Sequence, residues 1–146
     1  MLDATHVKPT ARHRVEKRGW RQAVGRSRGG LTSKIHCLAD GRGRPVSLAL
    51  TPGNVADISM ALPRLQAVAL PKRLIADKAY DAQSLRDWLK SHRVIATILS
   101  TASRTVLYKH SRIAYVRRNR IERLFGHLKN WRRVATHSMD LNEPPT

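Results

Sequence analysis

The sequence predicts an α/β fold, in which helices pack on a mixed β-sheet. Two strand-like segments flank the glycine turn GRG at residues 41–43, an arrangement that is typical of a β-hairpin. Further along the chain, short apolar segments alternate with amphipathic ones, which is typical of strands connected by helices. The 146 residues, of which 41% are hydrophobic, suffice for one ordinary domain with a core.

The first half of the chain is predicted to supply most of the sheet. MLDAT at the N-terminus has the character of the last residues of a strand, which places Asp3 at the end of that strand. TSKIHCLAD and RPVSLALTPGN are the predicted hairpin strands, and Cys37 in the first of them is expected to be a buried structural residue. DISMALPRLQAVAL is predicted to form a helix with Asp57 as its N-cap.

The second half is predicted to alternate strands with helices. KRLIADKAYD contains a strand, Arg73–Ala76, that ends at Asp77, while DAQSLRDWLKSH is an amphipathic helix and RVIATILS a buried strand. A polar linker leads to a long helix from about Ile113 to Val134. These elements form one predicted domain over residues 1–136, and the tail 137–146, which loses the periodic pattern, is expected to be disordered.

The charge of the chain is strongly positive. Its 28 lysines and arginines outnumber its 10 aspartates and glutamates, which gives a formal net charge of +18. Nucleic acid is therefore the first partner to expect. The segment 8–30 is predicted to be a mobile basic loop. No apolar run is long enough to span a bilayer and the N-terminus lacks the apolar stretch of a secretory signal, so we expect a cytoplasmic protein with no membrane partner.

Three acidic residues fall where the predicted fold brings chain segments together. Asp3 and Asp77 lie at predicted strand ends, which converge in an α/β sheet, and Glu122 lies on the last helix. Converging carboxylates repel one another unless divalent cations lie between them, and Mg²⁺ or Mn²⁺ suits such oxygen ligands. Two ions of this kind can activate an attacking oxygen and stabilise a leaving one. The sequence therefore permits metal-dependent phosphodiester chemistry.

Each of these acids also has an ordinary structural interpretation. Asp3 could cap a turn, and Asp77 could cap the helix that follows it, although Asp81 is better placed for that role. Glu122 could form an i,i+4 ion pair with Arg118, which contributes roughly a few tenths of a kcal/mol. Spacing alone leaves both interpretations open.

The last predicted helix has two neighbouring stripes. Tyr115, Arg118, Glu122 and Lys129 fall within about 60° of one another at about 100° per residue, so they share one face. Arginine and lysine suit phosphates, whereas a glutamate suits a metal ion. The adjacent apolar stripe is expected to pack on the sheet; its members are Ile121, Leu124, Phe125, Leu128 and Trp131.

The same helix resembles a known family. YVRRNRIERLFGHLK, at residues 115–129, matches the pattern Y-x-x-R-x-x-x-E-x-x-x-x-x-x-K at every fixed position. That pattern is the signature of bacterial insertion-sequence transposases with an Asp-Asp-Glu catalytic site. GRSRGGLTSKIHCLADGRGRPVSLALTPGNVADI, LIADKAYDA and GHLKNWRRVAT are also similar to the family-five, IS4-type branch, and the resemblance covers Leu2 to about Thr136.

The resemblance implies a ribonuclease-H-like fold, with a mixed five-stranded sheet flanked by helices and a truncated first strand. It implies a DNA transposase that uses Mg²⁺, with Mn²⁺ able to substitute, to cut transposon ends and join them to target DNA. Asp3, Asp77 and Glu122 correspond to the catalytic, metal-binding triad. The residues expected to contact double-stranded DNA are Tyr115, Arg118 and Lys129 of the signature, together with the basic residues Arg26, Arg28, Arg117, Arg132 and Arg133.

Such transposases carry further sequence before the first aspartate and after RRVAT. The chain is therefore expected to be truncated at the N-terminus and frameshifted at the C-terminus, and to act on the nucleoid as a homodimer or with an upstream-frame polypeptide. The principal competing hypothesis is a catalytically inactive DNA-binding fragment of a transposase. The sequence also leaves open a basic RNA-binding protein and a metal-dependent nuclease of the same fold.

Overall fold

The structure is a computed structural model that describes residues 1–8 and 25–130. Over these ranges the chain forms a mixed sheet with helices packed on both faces. The strands are β1 (Leu2–Val7), β2 (Gly25–Ser27), β3 (Gly30–Ala39), β4 (Pro45–Pro52), β5 (Arg73–Ala76) and β6 (Ile95–Ile98). The α-helices are α1 (Ala61–Gln66), α2 (Gln83–Ser91), α3 (Arg112–Val116) and α4 (Asn119–Asn130), and the 3₁₀-helices are Asp57–Met60 and Lys78–Tyr80.

The strand pairing confirms the predicted α/β class with a mixed sheet. β3 pairs antiparallel with β1 and β4, and with β2 at its first residues, while β5 pairs parallel with both β1 and β6. The order β4-β3-β1-β5-β6 is the five-stranded sheet that the resemblance implies, and the three-residue β2 is an addition to it. This arrangement is compatible with a ribonuclease-H-like fold.

Side chains alternate between the two faces of the sheet, because successive strand residues point in opposite directions. On β5, Leu74 and Ala76 join the apolar cluster beneath α1 and α2, whereas Ile75 joins the cluster beneath α4. Cys37 lies in this second cluster and is fully buried, as predicted. Burial raises the pKa of its thiol to about 11, so the thiol stays protonated near neutral pH.

The apolar stripe of the last helix packs on the sheet, as predicted for its described members. Ile121 and Phe125 are buried against β3 and β5 side chains, and Leu124 and Leu128 pack at the edge of the same cluster. This contact fixes the rotation of α4 about its axis. It therefore decides which of the polar residues on α4 face the sheet edge.

The first strand differs from the sequence prediction. Asp3 does not end this strand, because β1 continues to Val7 and Asp3 is its second residue. The segment Leu2–Val7 pairs residue by residue with Ser33–Leu38, and this pairing holds all six residues extended. Six residues are an ordinary strand length, but only Leu2 pairs with β5, so the predicted truncation of this strand is not contradicted and stays a prediction.

The helix predicted to begin at Asp57 is also different. The chain first forms a 3₁₀ turn whose N-cap is Ala56, and α1 begins only at Ala61. The carboxylate of Asp57 lies 2.7 Å from the ammonium of Lys34, a nearly buried residue of β3. The predicted N-cap is therefore wrong, because this carboxylate neutralises a cation that would otherwise be costly to bury.

The single long helix predicted from Ile113 is divided in two. α3 ends at Val116 and α4 begins at Asn119. At the junction, the Arg118 amide donates to the Tyr115 carbonyl, three residues back rather than four. Such bonds tighten the turn, so Tyr115 belongs to one helix and Glu122 to the next.

Several predicted features lie outside the described residues. These are residues 9–24 of the basic loop and everything after Asn130, which includes Trp131, Arg132, Arg133 and the tail 137–146. The described end of the basic loop is not a loop, since Gly25–Ser27 is β2 and pairs with the start of β3. Within the described ranges, none of the helices has the length and apolarity needed to cross a membrane.

Candidate active site

The strand register brings Asp3 and Asp77 together at one edge of the sheet. β1 and β5 run parallel with Leu2 opposite Ala76, and β5 ends at Ala76. The next residue on each chain segment is an aspartate, and neighbouring strands lie about 4.8 Å apart. The two carboxylates are therefore side by side, although Asp3 begins a strand rather than ending one.

Both aspartates use one carboxylate oxygen to bond the following backbone amide. Asp3 Oδ1 accepts a hydrogen bond from Ala4 N at 2.9 Å, and Asp77 Oδ1 accepts one from Lys78 N at 2.7 Å. The second bond makes Asp77 the N-cap of the 3₁₀ turn that follows it. In each residue these bonds leave Oδ2 free to meet a further partner.

That further partner is Arg118, which lies between all three candidate acids. Its Nη2 is 2.9 Å from Asp3 Oδ2 and 3.6 Å from Asp77 Oδ2. Its Nη1 donates a hydrogen bond of 2.6 Å to Glu122 Oε1, one helical turn further along. The structure therefore brings the three predicted acids together around one guanidinium.

Burial and charge act in opposite directions at this cluster. Burial raises the pKa of Asp3 above its ordinary value, and Arg118 and the Ala4 amide only partly offset that rise. Burial alone would lower the pKa of Arg118, but the neighbouring groups, Asp3 and Asp77 foremost, together outweigh burial and raise it. Three carboxylates outnumber the single guanidinium, so the cluster attracts a further cation.

The donor atoms fit a hard divalent cation, but their arrangement does not yet form a metal site. Carboxylate oxygens are the ligands that Mg²⁺ and Mn²⁺ prefer, and the three side chains range from nearly buried Asp3 to half-exposed Glu122. Among residues 1–8 and 25–130, however, no three His, Cys, Asp or Glu side chains are close enough to hold a metal ion. The Arg118 guanidinium lies in the space where such an ion would be expected.

The predicted DNA-contacting residues are distributed unevenly around this cluster. Tyr115 is half-buried, and its ring centroid lies 6.0 Å from the Arg118 guanidinium. Arg117, which precedes Arg118 in the chain, is exposed. Lys129 is also exposed, but it lies eleven residues beyond Arg118, which is about 16 Å along the helix. The tyrosine thus lies near Arg118 and the acids, whereas Lys129 lies about two helical turns beyond Glu122.

Arg26 and Arg28 are exposed and belong to the β2 hairpin at the opposite end of β3. Arg26 pairs with Leu31, while Asp3 pairs with Cys37, six residues further along the same strand. At about 3.4 Å per residue this separation is about 20 Å. Arg28 also lines a cleft with His6 and Lys8, so the hairpin forms a second basic region.

A buried ion cluster beside the acids was not expected from the sequence. Asp81, which the sequence suggested as a helix N-cap, is instead bonded at 2.7 Å by the Nε atoms of Arg86 and Arg104 and by the Thr101 amide. Its side chain is fully buried. Asp81 thereby attaches the 99–111 connection, which leads to α3 and α4, to the turn that follows Asp77. The only local sign of this cluster in the sequence is that Asp81 and Arg86 have opposite charges and lie five residues apart.

Comparison with known proteins identifies the class of protein. The chain matches the family "Transposase DDE domain" over residues 1–143, and it belongs to that family. It is also similar to the transposase described for insertion sequence element IS6501 of Brucella ovis, with 33% identity over 106 residues. The alignment covers 72% of this chain and 82% of that protein. The family resemblance of the helix signature is confirmed, and the IS4-type branch stays a prediction.

Membership defines the general activity of the domain. Transposases of this family act on DNA, which they cut and join, and they generally use divalent metal ions. The predicted function as a DNA transposase is confirmed at this level. The roles of individual residues in this chain stay predictions.

Proposed function

We propose that this chain cuts one DNA strand at the end of an insertion sequence and transfers the released 3′ end to target DNA. The observation that supports this proposal most directly is the convergence of Asp3, Asp77 and Glu122 on one guanidinium. Asp3 lies on β1, Asp77 directly follows the parallel strand β5, and Glu122 lies on α4. We assign them as the catalytic triad and as the ligands of Mg²⁺, with Mn²⁺ able to substitute.

The protein's contribution to the reaction is positioning. Asp3 and Asp77 would hold the metal from the sheet, with carboxylates already oriented by the Ala4 and Lys78 amides. Glu122 would hold it from α4, whose packing on the sheet sets its position. Bound divalent ions activate an attacking oxygen and stabilise a leaving one. Asp3 must be ionised to bind metal, and its raised pKa means that protons compete for it more strongly than for an exposed aspartate.

Duplex DNA would lie across the sheet edge and α4. Arg117 and Tyr115 are placed to contact phosphates near the acids, and Lys129 to contact a phosphate further along the helix. We assign Arg118 to DNA as well, once it leaves the carboxylates. Arg132 and Arg133, which lie outside the described residues, complete the proposed set of DNA-binding cations.

The proposed protein partner is a second copy of the chain or an upstream-frame polypeptide. The proposed place of action is the bacterial nucleoid in the cytoplasm.

The test is cutting of a duplex that carries the terminal repeat of the encoding element. Purified chain is incubated with end-labelled duplex and Mg²⁺ or Mn²⁺, beside the variants Glu122→Ala and Asp87→Asn. We expect metal-dependent nicking at the repeat end by the wild type and by Asp87→Asn, whose altered residue is exposed on α2 beneath the other face of the sheet. Glu122→Ala is expected to cut more than about a hundredfold more slowly.

Two outcomes of this test count against the assignment. Cutting that Glu122→Ala retains would exclude Glu122 from the site. If the wild type and both variants bind the duplex but none of them cuts it, the chain is better described as a catalytically inactive DNA-binding fragment. The position of the Arg118 guanidinium between the acids is the observation that favours this second function.

The basic hairpin is expected to strengthen DNA binding without any effect on metal binding. Replacing both Arg26 and Arg28 by alanine should reduce the salt dependence of duplex binding by roughly 1.8 in the slope of log affinity against log salt, because each phosphate contact contributes about 0.9. Fluorescence anisotropy with a 20-base-pair duplex at several salt concentrations measures this slope. The control is Lys72→Ala with Lys90→Ala, which removes two exposed cations from elsewhere. An equal change in both double variants would show that net charge alone is responsible.

A further inference from the structure

We propose that Arg118 is a built-in counter-ion of the three carboxylates, and that a divalent metal ion must displace it to bind. The displaced guanidinium then becomes available to a DNA phosphate. This inference rests on the proposed function, since it takes Asp3, Asp77 and Glu122 to be the metal ligands. It gives Arg118 two alternating partners rather than one fixed role.

The first supporting observation is the position of the guanidinium. Its Nη2 meets the Oδ2 atoms of both aspartates, and these are the oxygens that the backbone amides leave unused. Its Nη1 meets Glu122. A metal ion held by the same three carboxylates would need the same oxygens and the same space, so the two cations exclude each other.

The second observation is that the cluster needs a positive charge when no metal is bound. Asp3 is nearly buried, so an uncompensated negative charge there is costly. The carboxylate of Asp77 lies next to that of Asp3, since both are close to the same Nη2 atom, and the two negative charges repel each other. Arg118 is the cation within ion-pair distance of all three acids among the described residues, and it limits this repulsion.

The third observation is that Arg118 is not fully satisfied where it lies. Its Nε is buried and has no hydrogen-bond partner among the residues that the structure describes. A buried donor without a partner is unfavourable, which lowers the free-energy difference between this position of the side chain and a more exposed one. Arg118 lies at the junction of α3 and α4, where the preceding residue, Arg117, is exposed to solvent. A rotation of the long Arg118 side chain towards that solvent would take its guanidinium away from the acids.

The exclusion of one cation by the other couples metal binding to DNA binding. A phosphate that binds Arg118 removes the competing cation from the acids, so it should increase their affinity for metal. By thermodynamic reciprocity, bound metal should increase the affinity of the protein for that phosphate by the same factor. The triad would therefore be completed mainly when DNA is present, which limits metal-dependent chemistry away from the substrate.

The test is Mn²⁺ binding by the full chain in the absence of DNA, measured by calorimetric titration at low salt. We expect Arg118→Ala to bind Mn²⁺ about tenfold more tightly than the wild type, or more, because the competing cation is gone. Its melting temperature without metal should fall, and Mn²⁺ should raise it by more than it raises that of the wild type. The matched control is Arg123→Ala, which removes the same charge from the exposed surface of α4 and should bind Mn²⁺ within about twofold of wild type.

A second variant covers the case in which Arg118→Ala does not fold. Arg118→Lys keeps the positive charge but lacks the planar fork whose two nitrogens bond Asp3 and Glu122, so the variant should bind Mn²⁺ with an affinity between those of the wild type and the alanine variant. Equal or weaker Mn²⁺ binding by the Arg118 variants, relative to Arg123→Ala, would overturn the counter-ion role.

Glu122→Gln separates this inference from the proposed function. If Mn²⁺ binding depends on Glu122 but not on Arg118, the counter-ion role fails and the metal site stands. If Mn²⁺ binds neither the wild type nor the Arg118 variants, or binds all of them regardless of Glu122, the proposed metal site itself fails and the inference fails with it.

Discussion

Replacing Asp77 by cysteine is expected to abolish DNA cutting in Mg²⁺ and to restore part of it in Mn²⁺. Asp77 directly follows β5 and lies beside Asp3, and its Oδ2 faces the Arg118 guanidinium at the centre of the acid cluster. A thiolate is a softer ligand than a carboxylate, so it binds Mn²⁺ better than Mg²⁺. We expect the cutting rate in Mg²⁺ to fall by more than about a hundredfold. This loss exceeds the one that is typical when a residue that only hydrogen-bonds a metal ligand is removed.

This exchange tests metal ligation directly, because a merely structural role would not depend on the identity of the metal. Cutting of the terminal-repeat duplex is measured for Asp77→Cys and Asp77→Ala in each metal, and the alanine variant should stay inactive in both. Asp87→Cys is the control for an added thiol, since Asp87 is exposed on α2. The native Cys37 does not interfere, because it is fully buried and its pKa is raised to about 11. Equal activity of Asp77→Cys in the two metals would contradict metal binding by this residue.

Replacing Asp81 by asparagine is expected to lower the free energy of unfolding by about 3 kcal/mol or more. Asp81 is buried between Arg86 and Arg104, and Arg86 is itself nearly buried. Removing one member of a buried ion pair leaves the other charge uncompensated, which typically costs about 3–5 kcal/mol. The asparagine amide would also point a donor at one of the N–H groups that now bond the carboxylate. Urea unfolding followed by circular dichroism measures the change.

The same variant has a defined pH dependence. Burial alone would raise the pKa of Asp81, but hydrogen bonds from Arg104, the Thr101 amide and Arg86 outweigh it and lower the pKa to about 2. The folded-state value is thus below the ordinary 3.8, so the ionised group stabilises the fold at higher pH. This contribution is complete above about pH 4 and is lost as the pH falls towards 2, and the difference between wild type and variant should narrow over that range.

Asp87→Asn serves as the control for this stability measurement. Asp87 is exposed on α2 and bonds only the side chain of Gln83 among the contacts described, so its replacement should change stability by about 0.5 kcal/mol or less. A similarly small change at Asp81 would mean that the 99–111 connection is not held by this carboxylate.

Local pattern was sufficient for many of the elements. The strand Arg73–Ala76 and its end at Asp77 follow from a short apolar run before polar residues, and the structure has the same bounds. The hairpin follows from the glycine turn, where Gly43 has a φ of +84° that favours glycine. The helix with Leu85 and Leu89 on its buried face follows from their four-residue spacing. Each of these features depends on residues that are near one another in the chain.

Three of the failed predictions have a common cause in long-range pairing. β1 extends to Val7 because it pairs with Ser33–Leu38, which lie about 30 residues away. Asp57 leaves its expected cap position for Lys34, and Asp81 leaves its own for arginines on two later segments. In each case at least one partner comes from a distant part of the chain: Ser33–Leu38 for β1, Lys34 for Asp57, and Arg104 for Asp81. Spacing along the chain carries no record of such a partner.

The sequence by itself determined the family, because the signature of residues 115–129 lies within one short segment. It also predicted Asp3, Asp77 and Glu122 as the acids of the site. Only the tertiary structure decided that Asp3 lies beside Asp77, since this follows from the register of Leu2 opposite Ala76. It also decided that Arg118 lies between the acids, through a contact with Asp3 across 115 residues of chain. The physical reason is that helix packing and strand pairing, rather than spacing, set the position of a guanidinium among three carboxylates.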